Sequence, residues 1–347
     1  MKKNKIFDPN AAAKKNSGIF GLPFNIKDAK CILIPVPWEA TTSYGGCTSG
    51  GPRAVLKASH QVDLYDLELK DFYKSGIYML KESPLIEKWN IVAQREAKKV
   101  IRSSAHLKQP SLKKALNKVN KHSNKLNSWV YTETRHYLDS EKVVGIIGGD
   151  HSVPLGAIKA VSEKFSSFGI LHFDAHLDTR KAFEGFTYSH ASIFYNVLTQ
   201  IPQVTKLVQV GIRDFCAEEL NFCRSLGERA NIFFDLELQK KKFEGITWKE
   251  ITKDIILHLP PCIWISFDID CLDPRLCPNT GTPVPGGLDF NEAIYLISEL
   301  VRAGKQIIGF DLCEVAPGKN SEWDANVGAR LLFKLCGYSL LSAARQR

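Results

Sequence analysis

Asp174, His176 and Asp178 are spaced two apart and follow the apolar run 168–173. In an extended chain alternate side chains share one face, so two carboxylates and an imidazole aim at one point where a buried strand should end. Divalent cations of hard or borderline character favour such ligands. Two further apolar runs end the same way: 143–147 leads into Gly148-Gly149-Asp150-His151, and 262–267 leads into Asp268-Ile269-Asp270. His151, Asp174, His176, Asp178, Asp268 and Asp270 together offer four carboxylates and two imidazoles, too many for one zinc ion. Four negative charges offset two divalent cations, so the set predicts a two-metal site. A carboxylate-rich shell without thiolates suits manganese, with iron, cobalt or nickel as alternatives. Two metals sharing a water bring its pKa towards neutrality and generate a hydroxide nucleophile. Hydrolysis is the expected reaction class.

The elements that must position these residues follow from the pattern of the chain. Short β-rich runs at 31–36, 143–147, 168–173, 207–211, 232–235, 262–267 and 306–311 alternate with helical segments, the signature of an α/β fold with a largely parallel sheet. Ligands of such folds bind beyond the carboxyl ends of the strands, and the clusters lie at that kind of end. Helices are expected over 152–164, with Ser152 as its cap, and over 291–303, ended by Gly304. Asp150 and Asp273 read as cap or turn residues, and His172, inside its strand, as a buried histidine with its hydrogen bonds made. Residues 1–30 read as an irregular N-terminal arm. Residues 31–347 read as a single domain carrying a basic helical insertion around 82–137, whose stripe Leu112, Leu116 and Val119 should lie against the main sheet.

Composition narrows the class further. The 347 residues are 44% hydrophobic, enough to bury a sizeable core, and no run reaches the roughly 18 to 20 apolar residues of a membrane span. The opening residues lack the apolar core of a signal peptide, so a cytoplasmic protein that engages no membrane is expected. Nine cysteines without a Cys-x-x-Cys pair argue against a disulfide framework and a thiolate zinc site. The net charge of +9 resides in 95–125, where ten basic residues face one acid, Glu96. That run reads as a solvated helical face; no nucleic-acid module accompanies it, so nucleic acid is not the expected partner.

Gly148-Gly149-Asp150-His151-Ser152, Asp174-Ala175-His176-Leu177-Asp178 and the segment Ser266 to Pro274, in this order, resemble the metal signatures of the ureohydrolase family of arginases, agmatinases and related guanidino hydrolases. Ser43-Tyr44-Gly45, Gly281-Thr282-Pro283 and Asp311-Leu312-Cys313-Glu314-Val315 extend the likeness over roughly residues 30 to 340. The resemblance implies a three-layer α/β/α sandwich on a parallel sheet of about eight strands, two manganese ions (nickel or another divalent metal as the alternative), a small guanidino substrate cleaved to urea plus an amine, and a homo-oligomer, trimer or hexamer. By the same likeness His151, Asp174, Asp178 and Asp268 would hold one metal, and Asp174, His176, Asp268 and Asp270 the other. Asp178 would also orient the hydroxide, Glu314 would pair with the guanidinium, and His190 would shuttle a proton to the leaving amine.

The loop from Thr179 to His190 bears on the substrate. It lacks the polar pattern with which arginases read arginine, and Ser189-His190-Ala191-Ser192 departs from the agmatinase Asp-His-Gly. Thr42 and Trp323 resemble positions of a branch with guanidine-hydrolase-like members and are candidate substrate-pocket residues. Agmatinase-like or arginase-like activity is the leading expectation. Hydrolysis of guanidine or a guanidino acid, formimidoylglutamase activity, or a silent member acting as a binding subunit are the alternatives.

Overall fold

The computed structural model describes residues 7–14, 17–103 and 109–345. Eight strands build one sheet: β1 (Cys31–Val36), β2 (Ile77–Met79), β3 (Val143–Gly148), β4 (Phe168–Phe173), β5 (Val204–Ile212), β6 (Ala230–Phe234), β7 (Cys262–Asp268) and β8 (Gln306–Cys313). Every pairing is parallel, in the order β2-β1-β3-β8-β7-β4-β5-β6. Seven of these strands overlap the apolar runs of the sequence, although β5 extends beyond its run at both ends and Asp235, expected to end β6, opens the helix that follows. The eighth, β2, has three residues, too few to show a period.

A parallel sheet is covered on both faces, so its strands read as continuous apolar runs; all six residues of β1 and of β4 are buried. Alternation sorts them between two cores: Cys31 and Leu33 pack on one side, Ile32, Ile34 and Val36 on the other. The helices are α1 (Gly51–Ala58), α2 (Pro84–Ile101), α3 (Pro110–Asp139), α4 (Leu155–Lys164), α5 (Ile193–Gln200), α6 (Ala217–Ser225), α7 (Asp235–Phe243), α8 (Trp248–Leu257), α9 (Phe290–Arg302) and α10 (Trp323–Ala344). Helices α1 and α7 to α10 line the first core and α2 to α5 the second. The result is a three-layer α/β/α sandwich. Helix α10 is long and apolar enough to cross a membrane by length and composition, but most of it is buried within the fold, as the central helix of a large core should be.

Local chemistry sets the helix ends. Asp289 caps α9 by accepting from the Asn291 N–H and forms a capping box with Glu292, while Gly304 takes φ +81 beyond the last turn. Ser152 does not cap α4, which begins three residues later. Its N–H and hydroxyl donate to Asp150, so the aspartate organises this turn.

Helices α2 and α3 occupy the basic segment and run antiparallel, with Glu96 meeting Lys118 and Trp89 beneath Lys125. Ile86, Ala93, Leu126 and Val130 join the sheet core. The outer half differs from expectation: Val119 and Leu116 lie with Ala97, Val100 and Ala115 around Phe186, a loop residue, not around the sheet. Leu112 is only partly buried. Lys108 of the basic run, and residues 1–6, 15 and 16 of the arm, lie outside the described residues.

Candidate metal centre

Four neighbouring strands in the middle of the sheet, β3, β8, β7 and β4, end at the site. His151 follows β3, Asp174, His176 and Asp178 follow β4, Asp268 ends β7 with Asp270 in the 3-10 turn after it, and Glu314 follows β8. Five of the six expected ligands are buried, and His176 is partly so. The segment carrying Asp270 is clamped by Arg213, which donates to the carbonyls of Asp270, Leu272 and Val284.

The distances divide the cluster in two. His151 Nδ1 lies 3.0 Å from Asp174 Oδ2, 3.2 Å from Asp178 Oδ2 and 3.4 Å from Asp268 Oδ2. On the other side, His176 Nδ1 lies 3.4 Å from Asp174 Oδ1 and 3.1 Å from Asp270 Oδ2. Asp174 thus turns one oxygen to each histidine, as a bridging carboxylate does.

The partners of the other ring nitrogen indicate what His151 Nδ1 must face. Ser266 donates its hydroxyl hydrogen to Asp311 Oδ1 at 2.9 Å, so the 2.9 Å contact between His151 Nε2 and Ser266 Oγ needs the proton on Nε2. Nδ1 then faces three carboxylate oxygens, and that arrangement requires positive charge between them, either a second ring proton or a bound cation. The titration behaviour agrees. Burial opposes charging of His151 and His176, yet the surrounding carboxylates outweigh it and hold both well above the usual imidazole range. Burial and the nearby Asp174 push Asp178 up to about 7, and burial with Asp270 and Asp174 pushes Asp268 well above the usual carboxylate range. The cluster calls for positive charge, and its donors fit a divalent cation on either side of Asp174.

A supporting row escapes a reading of the sequence. In the parallel register Gln209 of β5 pairs with His172 of β4, His172 with Ser266 of β7, and Ser266 with Asp311 of β8. These four buried polar residues therefore lie side by side beneath the ligands. Gln209 Nε2 donates to His172 Nδ1 at 3.0 Å, which leaves His172 Nε2–H to donate to Asp174 Oδ2 at 2.7 Å. Trp264 Nε1 donates to Asp311 Oδ2 at 2.6 Å. Such outer partners fix the tautomer and aim of metal-ligating groups. Pairing across strands was the signal, and it lies in the register, not in any local motif.

The remaining candidates surround this centre. Glu314, at φ +61, accepts from the His151 N–H through Oε1 at 3.0 Å. Its Oε2 is buried and has no hydrogen-bond partner among the described residues, and burial, with Asp150 nearby, pushes its carboxyl well up. His190 Nδ1 lies 3.4 Å from the hydroxyls of Thr41 and Ser189. Burial chiefly, with His176 and His151 nearby, pushes His190 down to about 4, so its ring is neutral near pH 7. The Thr42 hydroxyl is buried without a partner among the described residues. Trp323 is 47% exposed and its Nε1 donates to the Arg275 carbonyl; no contact among the described residues ties it to the cluster.

Comparison with known proteins assigns the class. The model of the arginase family matches residues 29–337. An N(1)-aminopropylagmatine ureohydrolase of Thermus thermophilus is 31% identical over 320 residues, covering 91% of this chain and 92% of that one. Among solved structures, the agmatine ureohydrolase of Thermoplasma volcanium aligns with a TM-score of 0.72 at 19% identity, covering 96% and 98% of the two chains. The formimidoylglutamase of Bacillus subtilis aligns with a TM-score of 0.68 at 19% identity, covering 96% of each. The chain belongs to the arginase family. It is a metal-dependent hydrolase acting on guanidino carbon–nitrogen bonds.

Proposed function

We propose that the protein holds two manganese ions and hydrolyses a guanidine with an amine-bearing tail, of the agmatine or N(1)-aminopropylagmatine kind, to urea and an amine. The observation that carries this reading is Asp174, whose Oδ2 faces His151 and whose Oδ1 faces His176. Asp178 and Asp268 would complete the first metal shell, and Asp268 and Asp270 the second. Manganese is favoured by the oxygen-rich, thiolate-free donors. The tail is favoured by the name of the Thermus thermophilus relative and by a 179–190 loop without the arginase pattern.

When bound, the metal pair supplies Lewis acidity and a water acidified towards neutrality. The residues of the chain do the rest. Asp178 would accept a hydrogen bond from the attacking water and aim it at the guanidinium carbon. Glu314 is fixed through Oε1, which leaves Oε2 free to accept from the guanidinium and hold its plane. His190, neutral and beside Thr41, would carry a proton to the departing amine nitrogen. The proposal includes a cytoplasmic homo-oligomer, trimer or hexamer; nine unpaired thiols suit a reducing compartment.

The test is urea release from agmatine, N(1)-aminopropylagmatine, arginine, guanidinobutyrate and guanidine, with manganese and nickel compared. The amine-tailed compounds should be turned over fastest. Formamide release from an N-formimidoyl amino acid, with no urea from any guanidine, would point to formimidoylglutamase. Asp174→Ala and Asp268→Ala should each lose metal and activity together, and near-normal turnover by either contradicts the two-metal reading.

A further inference from the structure

A buried carboxylate outside the expected ligand set shapes a loop that packs around Glu314. Glu39 lies in the segment after β1. Its Oε1 accepts from the Cys47 N–H at 2.9 Å and its Oε2 from the Ser49 N–H at 2.8 Å, and these backbone donors are the carboxylate's only hydrogen-bond partners among the described residues. Backbone N–H groups that converge in a turn form a concavity for an anion, and here the chain supplies the anion itself. Gly45, Gly46 and Cys47 have φ +62, +127 and +72 in succession. Cys47, which has a Cβ, is strained in that conformation by roughly 1 kcal/mol or more, so the turn needs an anchor. A Cβ on Gly46 would stand 3.0 Å from Glu39 Oε1, and the loop therefore wraps the carboxylate closely.

The segment that carries Glu39 is itself fixed from two sides. On α2, Asn90 Oδ1 accepts from the Glu39 N–H at 2.9 Å and Gln94 Nε2 donates to the Glu39 carbonyl at 2.8 Å. Towards the metal centre, the Ala40 N–H donates to Asp150 Oδ2 at 3.1 Å, and the Asp150 N–H donates to the Trp38 carbonyl at 2.8 Å. Helix α2 is thus a brace for Glu39 as well as a cover for the sheet.

The loop in turn meets the surroundings of Glu314. A Cβ on Gly45 would stand 2.2 Å from the Gly281 carbonyl oxygen, and one on Gly51 would stand 2.2 Å from the Val315 carbonyl oxygen. These close approaches seat the 45–51 loop on the residues that flank Glu314, Val315 in sequence and Gly281 in space. A Cβ on Gly281 would be 3.0 Å from Glu314 Oε2, the oxygen without a partner, and the Thr280 hydroxyl donates to the Glu314 carbonyl at 2.8 Å. The path runs from α2 through Glu39 and its loop to the one face of Glu314 that is free to bind.

We infer that Glu39 is a positioning residue for guanidinium binding: by anchoring the 45–51 loop it holds Gly281 and Val315 around Glu314 and keeps Oε2 clear and aimed. Its removal should weaken the substrate and spare the metals, because Glu39 contacts none of the six expected ligands among the described residues. This inference rests on the guanidine-hydrolase reading above, in which Glu314 pairs with the guanidinium.

The test measures KM and kcat for urea release from agmatine, manganese bound per chain and melting temperature in the wild type, Glu39→Gln and Asn90→Ala. An amide at 39 offers one acceptor where the carboxylate offers two and sets its own N–H against a backbone N–H. Glu39→Gln should raise KM roughly ten-fold or more with kcat changed less than about three-fold, and should bind manganese as the wild type does. Asn90→Ala cuts the anchor on α2 and leaves the carboxylate in place, so it should raise KM in the same direction by about three-fold or more; it carries the test alone if Glu39→Gln does not fold. An unchanged KM would overturn the inference, and so would loss of manganese in step with activity, which would make Glu39 a support of the whole centre. Either result leaves the guanidine-hydrolase reading standing. A wild type that releases urea from no guanidine would overturn both.

Discussion

The Nδ1 atom of His151 faces three carboxylates because Ser266 and Asp311 hold the proton on the opposite nitrogen. The metal affinity of the site should therefore depend on two residues outside the expected ligand set. Ser266→Ala or Asp311→Asn should weaken manganese binding roughly 10- to 100-fold, measured by calorimetric titration, while the folded circular dichroism spectrum persists. The six expected ligands were visible in the sequence because each follows or ends an apolar run, so a local motif marks it. Ser266 and Asp311 were visible only as motif members. Their joint role depends on the register that sets β7 beside β8, and a parallel register is written in contacts far apart in sequence. Glu314 and His190 came from the family likeness; what the structure adds is the free Oε2 of the first and the lowered pKa of the second.

Among the elements, the α2–α3 pair divides its work. One half covers the sheet and the other covers the loop that forms the wall beside His190. Phe186→Ala empties the centre of the outer cluster, and burial of a phenylalanine is worth about 3–5 kcal/mol. That variant should lose stability of this order in denaturant titrations and raise the KM for agmatine, with Phe186→Leu restoring most of both. An unchanged KM would separate the brace from the site. Sequence periodicity located the apolar stripe of α3 but not its partner, because a stripe shows that a face is buried, not what buries it. The same limit explains Ser152: its type suits a cap, but Asp150 two residues earlier accepts from its N–H and hydroxyl and defers the helix to Leu155.

For the whole molecule, the alternation of strand and helix sufficed to foresee a parallel α/β architecture, while the order β2-β1-β3-β8-β7-β4-β5-β6 was not visible, since it depends on which strands meet across long crossovers. That order brings the ends of β3, β8, β7 and β4 together, and with them four carboxylates and two imidazoles that ordinary burial would forbid. The described lysines and arginines of 95–125 are exposed to solvent, apart from the half-buried Lys118. If Asp174 joins two metal sites into one, manganese bound per chain, counted by equilibrium dialysis and plasma emission, should be two ions in the wild type, with neither held tightly in Asp174→Asn. A single ion per wild-type chain, or two ions kept by Asp174→Asn, would show that Asp174 does not join them.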